Sequence, residues 1–382
     1  VMGEYPVSVL AEEILTPGEG QIRALVTVAG NPVLSTPNST QLARSLDRLD
    51  FMVSIDLYLN ETTCHADVVL PPPSQLQRSH YDLLLLQFAV RNVANYSPPV
   101  LPLDDGQPDE WEIIAKLTAI AQGLGPDVDP SMADDAAIEA IVRSAVANDH
   151  SIVSGREPDE LLAELSASGR RGPERMLDFM LRTGPYGDGF GVDPDGTSLD
   201  DLLARPHGRD FGALEPRIPE ILRTPSGRIE LSPEPFVADL DRLAAAAEEL
   251  ATRELVLVGR RHLRSNNSWM HNVKVLVKGK PRCTLQVHPG DATSLGLVDG
   301  GAATVTSRVG AVTAVVEVTE AIRPGVVSLP HGWGHDVQGA RLRVAAEHAG
   351  VNSNVLSDDE ALDPLSGTSV LNGIPVAVAP AS

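Results

Sequence analysis

The stretch Gly259-Arg260-Arg261-His262-Leu263-Arg264-Ser265-Asn266-Asn267-Ser268-Trp269-Met270-His271-Asn272 directly follows the apolar run Glu254-Leu-Val-Leu-Val-Gly259. A leucine- and valine-rich run that ends in glycine is typical of a buried strand, whereas the residues after it are too polar for a core. We therefore expect a strand that delivers a polar loop. Its adjacent arginines, histidines, asparagines and serines are donors suited to phosphates and to the edges of a heterocyclic base. The chemistry of these donors suits a nucleotide-like ligand, although composition alone favours a solvated turn.

Composition places the chain among globular proteins of two or three domains, with 382 residues and 42% hydrophobic content. The 52 acidic residues outnumber the 30 basic ones and give a net charge of −22. Phosphate contacts to DNA and RNA are made mainly by clustered lysine and arginine, so this balance disfavours a nucleic-acid-binding surface. No apolar run approaches the roughly 20 residues needed to span a bilayer, and we expect no transmembrane segment.

The chain begins Val1-Met2-Gly3 without an initiator methionine, and we expect it to be a piece of a longer protein. No signal peptide is visible, which predicts a cytoplasmic location and leaves the periplasm open because the natural N-terminus is not in view. Cys64 and Cys283 are far apart and form neither a disulfide framework nor a zinc or iron–sulfur spacing.

The first hundred residues alternate between strand and helix patterns. Strands are predicted at 22–29, 51–56 and 66–70, and a helix at 39–48. This spacing predicts a parallel, doubly wound sheet, on which ligands sit at the carboxyl ends of the strands. The Gly-Asn-Pro turn at 30–32 and Asp56 fall at those ends.

The rest of the chain changes from helical to strand patterns. Helices are predicted at 110–117, 134–147, 158–166 and 239–253, and the apolar run 83–88 is predicted to be a buried strand or helix. Short strands at 283–287, 302–307 and 311–318 with glycine turns between them predict a small closed barrel.

Several of these segments resemble the molybdopterin oxidoreductases, the dimethyl sulfoxide reductase superfamily, which includes formate dehydrogenases and nitrate reductases. The 259–272 loop resembles the opening of the family's dinucleotide-binding C-terminal domain. Ala29-Gly-Asn-Pro32 and the stretch from Asp56 to Pro71 resemble the family's third domain, and residues 287–305 resemble its barrel. The segment 330–335 resembles a family segment near the pterin, and 352–357 with 363–367 resembles the family's closing asparagine segment.

The resemblance implies an α/β plus β-barrel fold in three parts. Residues 1–103 would form a Rossmann-like doubly wound parallel sheet that is incomplete at its N-terminal side. Residues 104–252 would form a mostly helical connecting region. Residues 253–382 would form the dinucleotide-binding domain, which is a double-psi β-barrel in the family.

The resemblance also implies which residues contact the cofactor. In the family the Gly-Asn-Pro turn approaches the pterin nucleotide, and the aspartate and Glu-Thr segment line its guanosine end. The implied contacts are Gly30, Asn31, Asp56, Glu61, Thr62, Asp67, Gly259, Arg260, Leu263, Ser265, Asn266, Asn267, Ser268, His331 and Asn354. No catalytic residue and no metal ligand is implied in this chain, because the family carries them in its N-terminal half. His331 and His335 lack a third partner at metal spacing, and a neutral histidine bonded to the cofactor or backbone is expected.

The implied function is that of the C-terminal portion of an oxidoreductase, formate dehydrogenase-like, that binds molybdopterin guanine dinucleotide with molybdenum or tungsten. A 4Fe-4S cluster is expected upstream, together with a small-molecule substrate and an electron-transfer partner or redox subunit. The portion alone is expected to be inactive. The 77–82 segment departs from commoner members and leaves the substrate open among formate, nitrate and S- or N-oxides. A molybdenum-free scaffold resembling the large subunit of NADH dehydrogenase and a stand-alone nucleotide-binding module are the alternatives.

Overall fold

The structure is a computed structural model that describes residues 5–251 and 255–381. The chain divides into two compact units, of which unit 1 combines Val1–Pro71 with Ile229–Ser382 and unit 2 is Pro72–Arg228. The predicted junction at residues 252 and 253 lies outside the described residues. The three-part division into 1–103, 104–252 and 253–382 stays a prediction.

The first part of unit 1 is a small parallel sheet with helices. Its elements are a 3-10 turn Val7–Val9, α1 Leu10–Leu15, β1 Ala24–Val28, α2 Pro32–Ser35, α3 Ser39–Leu46, β2 Phe51–Ile55, a 3-10 turn Thr63–His65 and β3 Val68–Leu70. The strands pair in the order β1-β2-β3, all parallel. Buried Ile14, Leu42 and Met52 fill the space between helices and sheet. The predicted parallel sheet is confirmed for these strands, each shorter than its sequence pattern.

Unit 2 is mostly helical. Its elements are β4 His80–Tyr81, a 3-10 turn Leu85–Phe88, β5 Arg91–Ala94, β6 Tyr96–Ser97, α4 Glu110–Ala121, α5 Pro130–Val146, α6 Pro158–Ala167, α7 Gly172–Thr183, α8 Leu199–Leu203 and β7 Arg209–Ala213. The three predicted helices of this region are confirmed with longer bounds. A capping box of Asp109 and Glu112 starts α4, and prolines open α5 and α6.

The apolar run 83–88 is not the buried element that its composition predicts. It forms a short 3-10 turn in which the side chains of Leu84 and Phe88 are 71% and 74% exposed. Asp82 accepts a hydrogen bond from the Leu85 amide and fixes a turn at the start of the run. The remaining residues are too few for a helix that could bury one face.

The second part of unit 1 is dominated by a mixed sheet. Its elements are α9 Glu234–Ala238, α10 Leu240–Ala251, β8 Val256–Arg260, α11 Lys274–Val277, β9 Thr284–Val287, α12 Pro289–Leu295, β10 Ala302–Thr306, β11 Ala311–Val318, β12 Val326–Pro330, α13 Arg343–Ala346, a 3-10 turn Ser353–Val355, β13 Asn372–Pro375 and β14 Ala377–Pro380. The helix predicted at 239–253 is confirmed as α10 over Leu240–Ala251, and the last two residues of the prediction lie outside the described residues. A separate short helix, α9, precedes it and ends at its C-cap Asp239.

Seven strands form this sheet in the order β13-β8-β12-β9-β11-β10-β14. The two edge strands are consecutive in the chain and only Val376 separates them. A single residue spans less than 4 Å, so the sheet curls until its edges adjoin. Buried Leu257, Leu285 and Val305 belong to the core inside the curl. The short strands predicted at 283–287, 302–307 and 311–318 are confirmed within a residue or two.

Among the described residues, no helix is both long and apolar enough to cross a membrane.

Candidate functional site

A cavity of about 430 Å³ in unit 1 is lined by residues at the carboxyl ends of three strands. Gly30 and Asn31 follow β1, Arg261 follows β8, and His331 follows β12. The carboxyl ends of parallel strands are where open α/β sheets hold their ligands. Both β1 and the parallel pair of β8 and β12 therefore present polar loops to one space.

The turn after β1 leaves room for an occupant. A Cβ atom at Gly30 would meet only Val28 O at 3.8 Å and the Pro32 ring at 3.9 Å, so no close protein contact requires glycine there. Ala29 has φ of 51°, in the left-handed region that L-residues other than Asn and Asp rarely adopt. Strain of this kind persists where surrounding contacts enforce it.

Glu61 and Thr62 make those contacts with the turn. Asn31 Nδ2 donates to Glu61 Oε2 at 2.8 Å, and Thr62 Oγ1 donates to Asn31 Oδ1 at 2.7 Å. The Val33 amide donates to the same Thr62 hydroxyl at 3.1 Å. Glu61 and Thr62 are buried. They hold Asn31 in place instead of lining the cavity themselves.

Glu61 begins a chain of buried hydrogen bonds across unit 1. His335 Nδ1 lies 2.9 Å from Glu61 Oε1, His335 Nε2 lies 2.8 Å from His271 Nδ1, and His271 Nε2 lies 2.8 Å from Ser265 Oγ. The Glu61 and His335 side chains have no exposed surface. Trp333 stacks on His271 with ring centroids 3.9 Å apart. The chain ties the loops after β2, β8 and β12 together.

Burial acts in opposite directions on the pKa values of Glu61 and His271. It raises the pKa of the Glu61 carboxyl, but the hydrogen bond and charge of His335 and the amide of Asn31 more than offset this, so the pKa is lowered. Burial and then the neighbouring His335 lower the pKa of His271 to about 3. His271 is therefore neutral at physiological pH, and Glu61 is a carboxylate.

The adjacent arginines of the loop have different surroundings. Arg260 ends β8, and its guanidinium donates to Ser328 O at 2.6 Å and to Thr284 O at 2.7 Å. Burial lowers its pKa. The Arg260 guanidinium therefore connects neighbouring strands of the curled sheet through these hydrogen bonds. Arg261 hydrogen-bonds the side chain of Asn267 and lines the cavity. Of the two, Arg261 is the arginine suited to an anionic ligand.

Glycines allow the segment after β12 to approach the loop after β8. A Cβ atom at Gly332 would stand 2.3 Å from Asn267 O, and one at Gly334 would stand 2.7 Å from Asn352 Cβ. Both glycines have positive φ. The segment therefore depends on glycine both for its backbone conformation and for its packing.

The closing asparagine segment anchors the turn after β1 from another side. Asn352 Nδ2 donates to Val33 O at 2.9 Å, and Asn354 Nδ2 donates to Leu34 O at 2.6 Å. Both carbonyls belong to α2, which has only four residues. The asparagines thus satisfy carbonyl groups that so short a helix leaves unpaired.

A smaller cavity of about 160 Å³ adjoins the large one. Its lining residues are Arg261, His262, Ser265, Asn266, Asn267 and His331. Arg261, Asn267 and His331 also line the large cavity. The two spaces therefore meet at a shared wall of positive and hydrogen-bonding groups.

The structure brings most of the predicted contacts into this region. Those that line the large cavity are Gly30, Asn31, Gly259, Arg260, Asn267, Ser268, His331 and Asn354, and those that line the small one include Ser265, Asn266, Asn267 and His331. Glu61 and Thr62 contact Asn31.

Besides Glu61 and Thr62, three predicted contacts line neither cavity. Asp56 accepts hydrogen bonds from the Tyr58 amide and from Asn60 Nδ2, each at 3.0 Å, and burial raises its pKa. Asp67 accepts from the Met52 amide at 2.7 Å, at the amino end of β2. Leu263 is 97% exposed.

Sequence reasoning missed three residues at the site. Different roles for Arg260 and Arg261 were not predicted, although successive side chains along a strand point to opposite faces. His271 lies in the 259–272 loop but was not predicted as a site residue. His335 was considered only as a possible metal ligand. Among the described residues no group of three or more His, Cys, Asp or Glu side chains is placed to hold a metal ion.

Residues 255–375 match the family described as Molydopterin dinucleotide binding domain. The chain is 42% identical over 59 residues to the assimilatory nitrate reductase catalytic subunit of Bacillus subtilis, covering 15% of this chain and 8% of that protein. It is 35% identical over 88 residues to the arsenate respiratory reductase molybdopterin-containing subunit ArrA of Chrysiogenes arsenatis, covering 22% of this chain and 10% of that protein.

Two further matches extend over nearly the whole chain. The probable oxidoreductase YoaE of Bacillus subtilis is 24% identical over 94% of this chain and 45% of its own length. Acetylene hydratase from Pelobacter acetylenicus has a similar fold, with a TM-score of 0.61 and 20% identity over 98% of this chain and 46% of its own. The chain thus spans about half the length of these relatives.

Proposed function

The chain belongs to the molybdopterin oxidoreductase superfamily, and on that premise we propose that unit 1 binds molybdopterin guanine dinucleotide in the large cavity. The observation that carries the proposal is the convergence of the 30–32 turn, the 259–272 loop and the segment after β12 on one space. The matched family covers the last two of these segments.

The lining of the cavity fits the guanine nucleotide part of this cofactor. At Gly30 a Cβ atom would meet protein atoms no closer than 3.8 Å, and its absence leaves room for a ligand. Arg261 offers a guanidinium to phosphate, and Asn31 and Asn267 offer amides that suit ribose hydroxyls or a base edge. The donor set is rich in hydrogen-bonding groups and contains no carboxylate side chain, as an anionic nucleotide requires.

The role of these residues is to bind and orient. Thr62, Glu61 and the asparagines of the closing segment hold the 30–32 turn in a fixed conformation, which reduces the entropy lost when a ligand is positioned. When bound, the cofactor with its molybdenum or tungsten supplies two-electron redox chemistry.

We also propose a specific fold for each of the two sheets of unit 1. We assign the curled seven-stranded sheet to a double-psi β-barrel, supported by its adjoining edges, and the three-stranded parallel sheet to part of a Rossmann-like doubly wound domain. Strands β8 to β13 of the curled sheet lie within the family match over residues 255–375, which supports the first assignment.

The complete enzyme is proposed to act on a small molecule in the cytoplasm, with a 4Fe-4S cluster and an electron-transfer partner or redox subunit. Formate dehydrogenase-like activity is one proposal for its substrate. Nitrate and arsenate belong in the same assay, because two relatives carry those names.

The test is a combined metal and nucleotide analysis of the native polypeptide purified from its own host. We expect molybdenum or tungsten together with GMP released by acid hydrolysis. The Asn31→Ala variant should lose both, and the Asp67→Ala variant, altered at a predicted contact outside the cavity, should retain both. Native protein that contains neither metal nor guanine nucleotide would contradict the proposal.

A further inference from the structure

Unit 2 contains a second binding space that the proposed function does not use. One cavity has a volume of about 670 Å³, and a neighbouring cavity has a volume of about 270 Å³. The residues that line both are Tyr81, Leu83, Leu177 and Met180. Every lining residue lies between Pro72 and Arg228, so unit 2 forms both cavities by itself. We call the two adjoining cavities the unit 2 cleft.

The wall of the unit 2 cleft is mainly apolar. Helix α7 contributes Leu177 and Met180, which lie three residues apart and therefore on one face of the helix. Another face of α7 packs Phe179 into the core of unit 2. Tyr186 and Phe211 stack with ring centroids 4.3 Å apart and line the smaller cavity. Apolar and aromatic walls around a cavity of this size are typical of small-molecule sites.

The charged side chains that line the unit 2 cleft already have partners within unit 2. The ion pairs are Arg78 with Glu110, Arg91 with Asp210, Arg170 with Asp200 and Arg171 with Asp135. Glu174 accepts a hydrogen bond from the Tyr96 hydroxyl, and Asp109 caps helix α4. A charged ligand would therefore lose its hydration without gaining a free counter-charge, and an uncharged ligand avoids this cost.

Tyr81 stands on the wall that the two cavities share. Its backbone pairs with Tyr96 in the two-stranded sheet of β4 and β6, which fixes its position. Burial is the cause that raises the pKa of the Tyr81 phenol, and its hydroxyl has no hydrogen-bond partner among residues 5–251 and 255–381. A partly buried hydroxyl without a partner favours a ligand that accepts its hydrogen bond.

We propose that the unit 2 cleft binds an uncharged, elongated apolar molecule that extends into both cavities and carries a carbonyl or ether oxygen as acceptor for the Tyr81 hydroxyl. The proposal goes beyond the proposed function, because it concerns unit 2 alone and does not depend on the cofactor. Such a ligand covers apolar side chains that are otherwise exposed, among them Leu83 at 59% and Met180 at 42%.

The first test is a titration with prodan, an uncharged naphthyl ketone whose fluorescence shifts to the blue in apolar surroundings. The wild type should bind prodan with blue-shifted emission. Leu83→Asp places a charge on the shared wall at an exposed position and should weaken binding about tenfold or more. Leu84→Asp, in the same turn but outside both cavities, should bind like the wild type. No blue shift with the wild type, or equal binding by all three proteins, overturns the proposal.

The second test removes the proposed donor with Tyr81→Phe. Loss of one hydrogen bond should weaken prodan binding about three- to tenfold. The emission of the bound dye should also shift further to the blue, because a hydrogen bond to its carbonyl shifts the emission to the red. A merely structural role for Tyr81 would change the affinity without changing this emission. Unchanged emission of the bound dye overturns the assignment of Tyr81 as the donor.

The third test compares two competitors that share one ring system and differ in charge. Naphthyl methyl ketone should displace prodan at about tenfold lower concentration than naphthoate, whose carboxylate lacks a free counter-charge in the cleft. Displacement by naphthoate at an equal or lower concentration overturns the uncharged ligand class. Neither metal nor guanine nucleotide enters these titrations, so their outcome is independent of the test of the cofactor site.

Discussion

Unit 1 and unit 2 both bury a carboxylate that hydrogen-bonds a basic side chain, but these carboxylates have different surroundings. In unit 1, Glu61 and His335 end a chain that reaches a cavity wall. In unit 2, Arg175 Nη2 donates to Asp134 at 2.8 Å and to Asp135 at 2.6 Å, which joins α7 to α5. The comparison teaches that a buried charge does not mark a site by itself. A hydrogen-bonded connection from that charge to an open, polar cavity is what marks a site.

Removing the unit 2 pair should have the largest effect on stability. Arg175→Met leaves the carboxylate of Asp134 buried without its partner, which should lower the free energy of unfolding by about 3 to 5 kcal/mol. Hydrogen exchange of the α5 and α7 amides measures this loss, and GDP affinity should stay unchanged. The exposed pair of Arg143 with Glu139 provides the control, since Arg143→Met should cost less than about 0.5 kcal/mol. Equal losses in both variants would refute the contrast.

The hydrogen-bonded chain in unit 1 should instead make the free energy of unfolding depend on pH. The pKa of His271 falls from 6.5 to about 3 on folding, so between these values the unfolded chain binds a proton that the folded chain does not. The free energy of unfolding should fall as the pH drops from 6.5 towards 3, by on the order of 4 kcal/mol for this group. Glu61, whose folded pKa is also lowered, adds a loss that begins below its ordinary value of 4.5.

Urea unfolding at several pH values measures this dependence. His271→Gln should flatten the slope between pH 6.5 and 4.5, while Arg175→Met should leave the slope intact. An unchanged slope in His271→Gln would mean that His271 does not carry the pH dependence.

Packing between the segment after β12 and the 259–272 loop can be tested at Gly332. Alanine there would combine a positive φ with a Cβ atom 2.3 Å from Asn267 O, and we expect a loss of about 3 kcal/mol. Gly296 also has positive φ but no atom within 4 Å of its would-be Cβ, so Gly296→Ala should cost about 1 kcal/mol. Thermal unfolding of both variants separates packing from backbone strain, and equal costs would rule out the close contact.

The smallest effects should distinguish the adjacent arginines. Arg260→Met removes hydrogen bonds to Ser328 O and Thr284 O and should lower the free energy of unfolding by about 2 kcal/mol. Arg261→Met should cost less than about 0.5 kcal/mol and should weaken GDP binding instead. Urea unfolding and a GDP titration test the pair, and the reverse pattern would show that the roles are exchanged.

Much of the fold follows from local pattern. Strand β8, the short strands of the curled sheet and the three predicted helices of unit 2, α4 to α6, are all visible in the spacing of apolar residues, because that spacing reflects one buried face. The 83–88 run shows the limit of composition. Its leucines predict burial, yet the turn fixed by Asp82 leaves Leu84 and Phe88 exposed.

The sequence predicted several residues that line the site, but not which side chains contact one another there. Gly30, Asn31 and Asn267 were predicted as contacts and line the large cavity. The hydrogen bond of Glu61 with His335 joins residues 274 positions apart. No spacing rule encodes such a pair, because tertiary folding alone decides which loops meet.

The most direct test of the central claim is a calorimetric titration of GDP into this chain and into two matched variants. The account predicts that the wild type and Asp67→Ala bind GDP with the same Kd, and that Asn31→Ala binds about tenfold more weakly because the turn after β1 loses its anchor. Equal binding by all three proteins, or no binding by the wild type, would contradict the assignment of this cavity to a guanine dinucleotide.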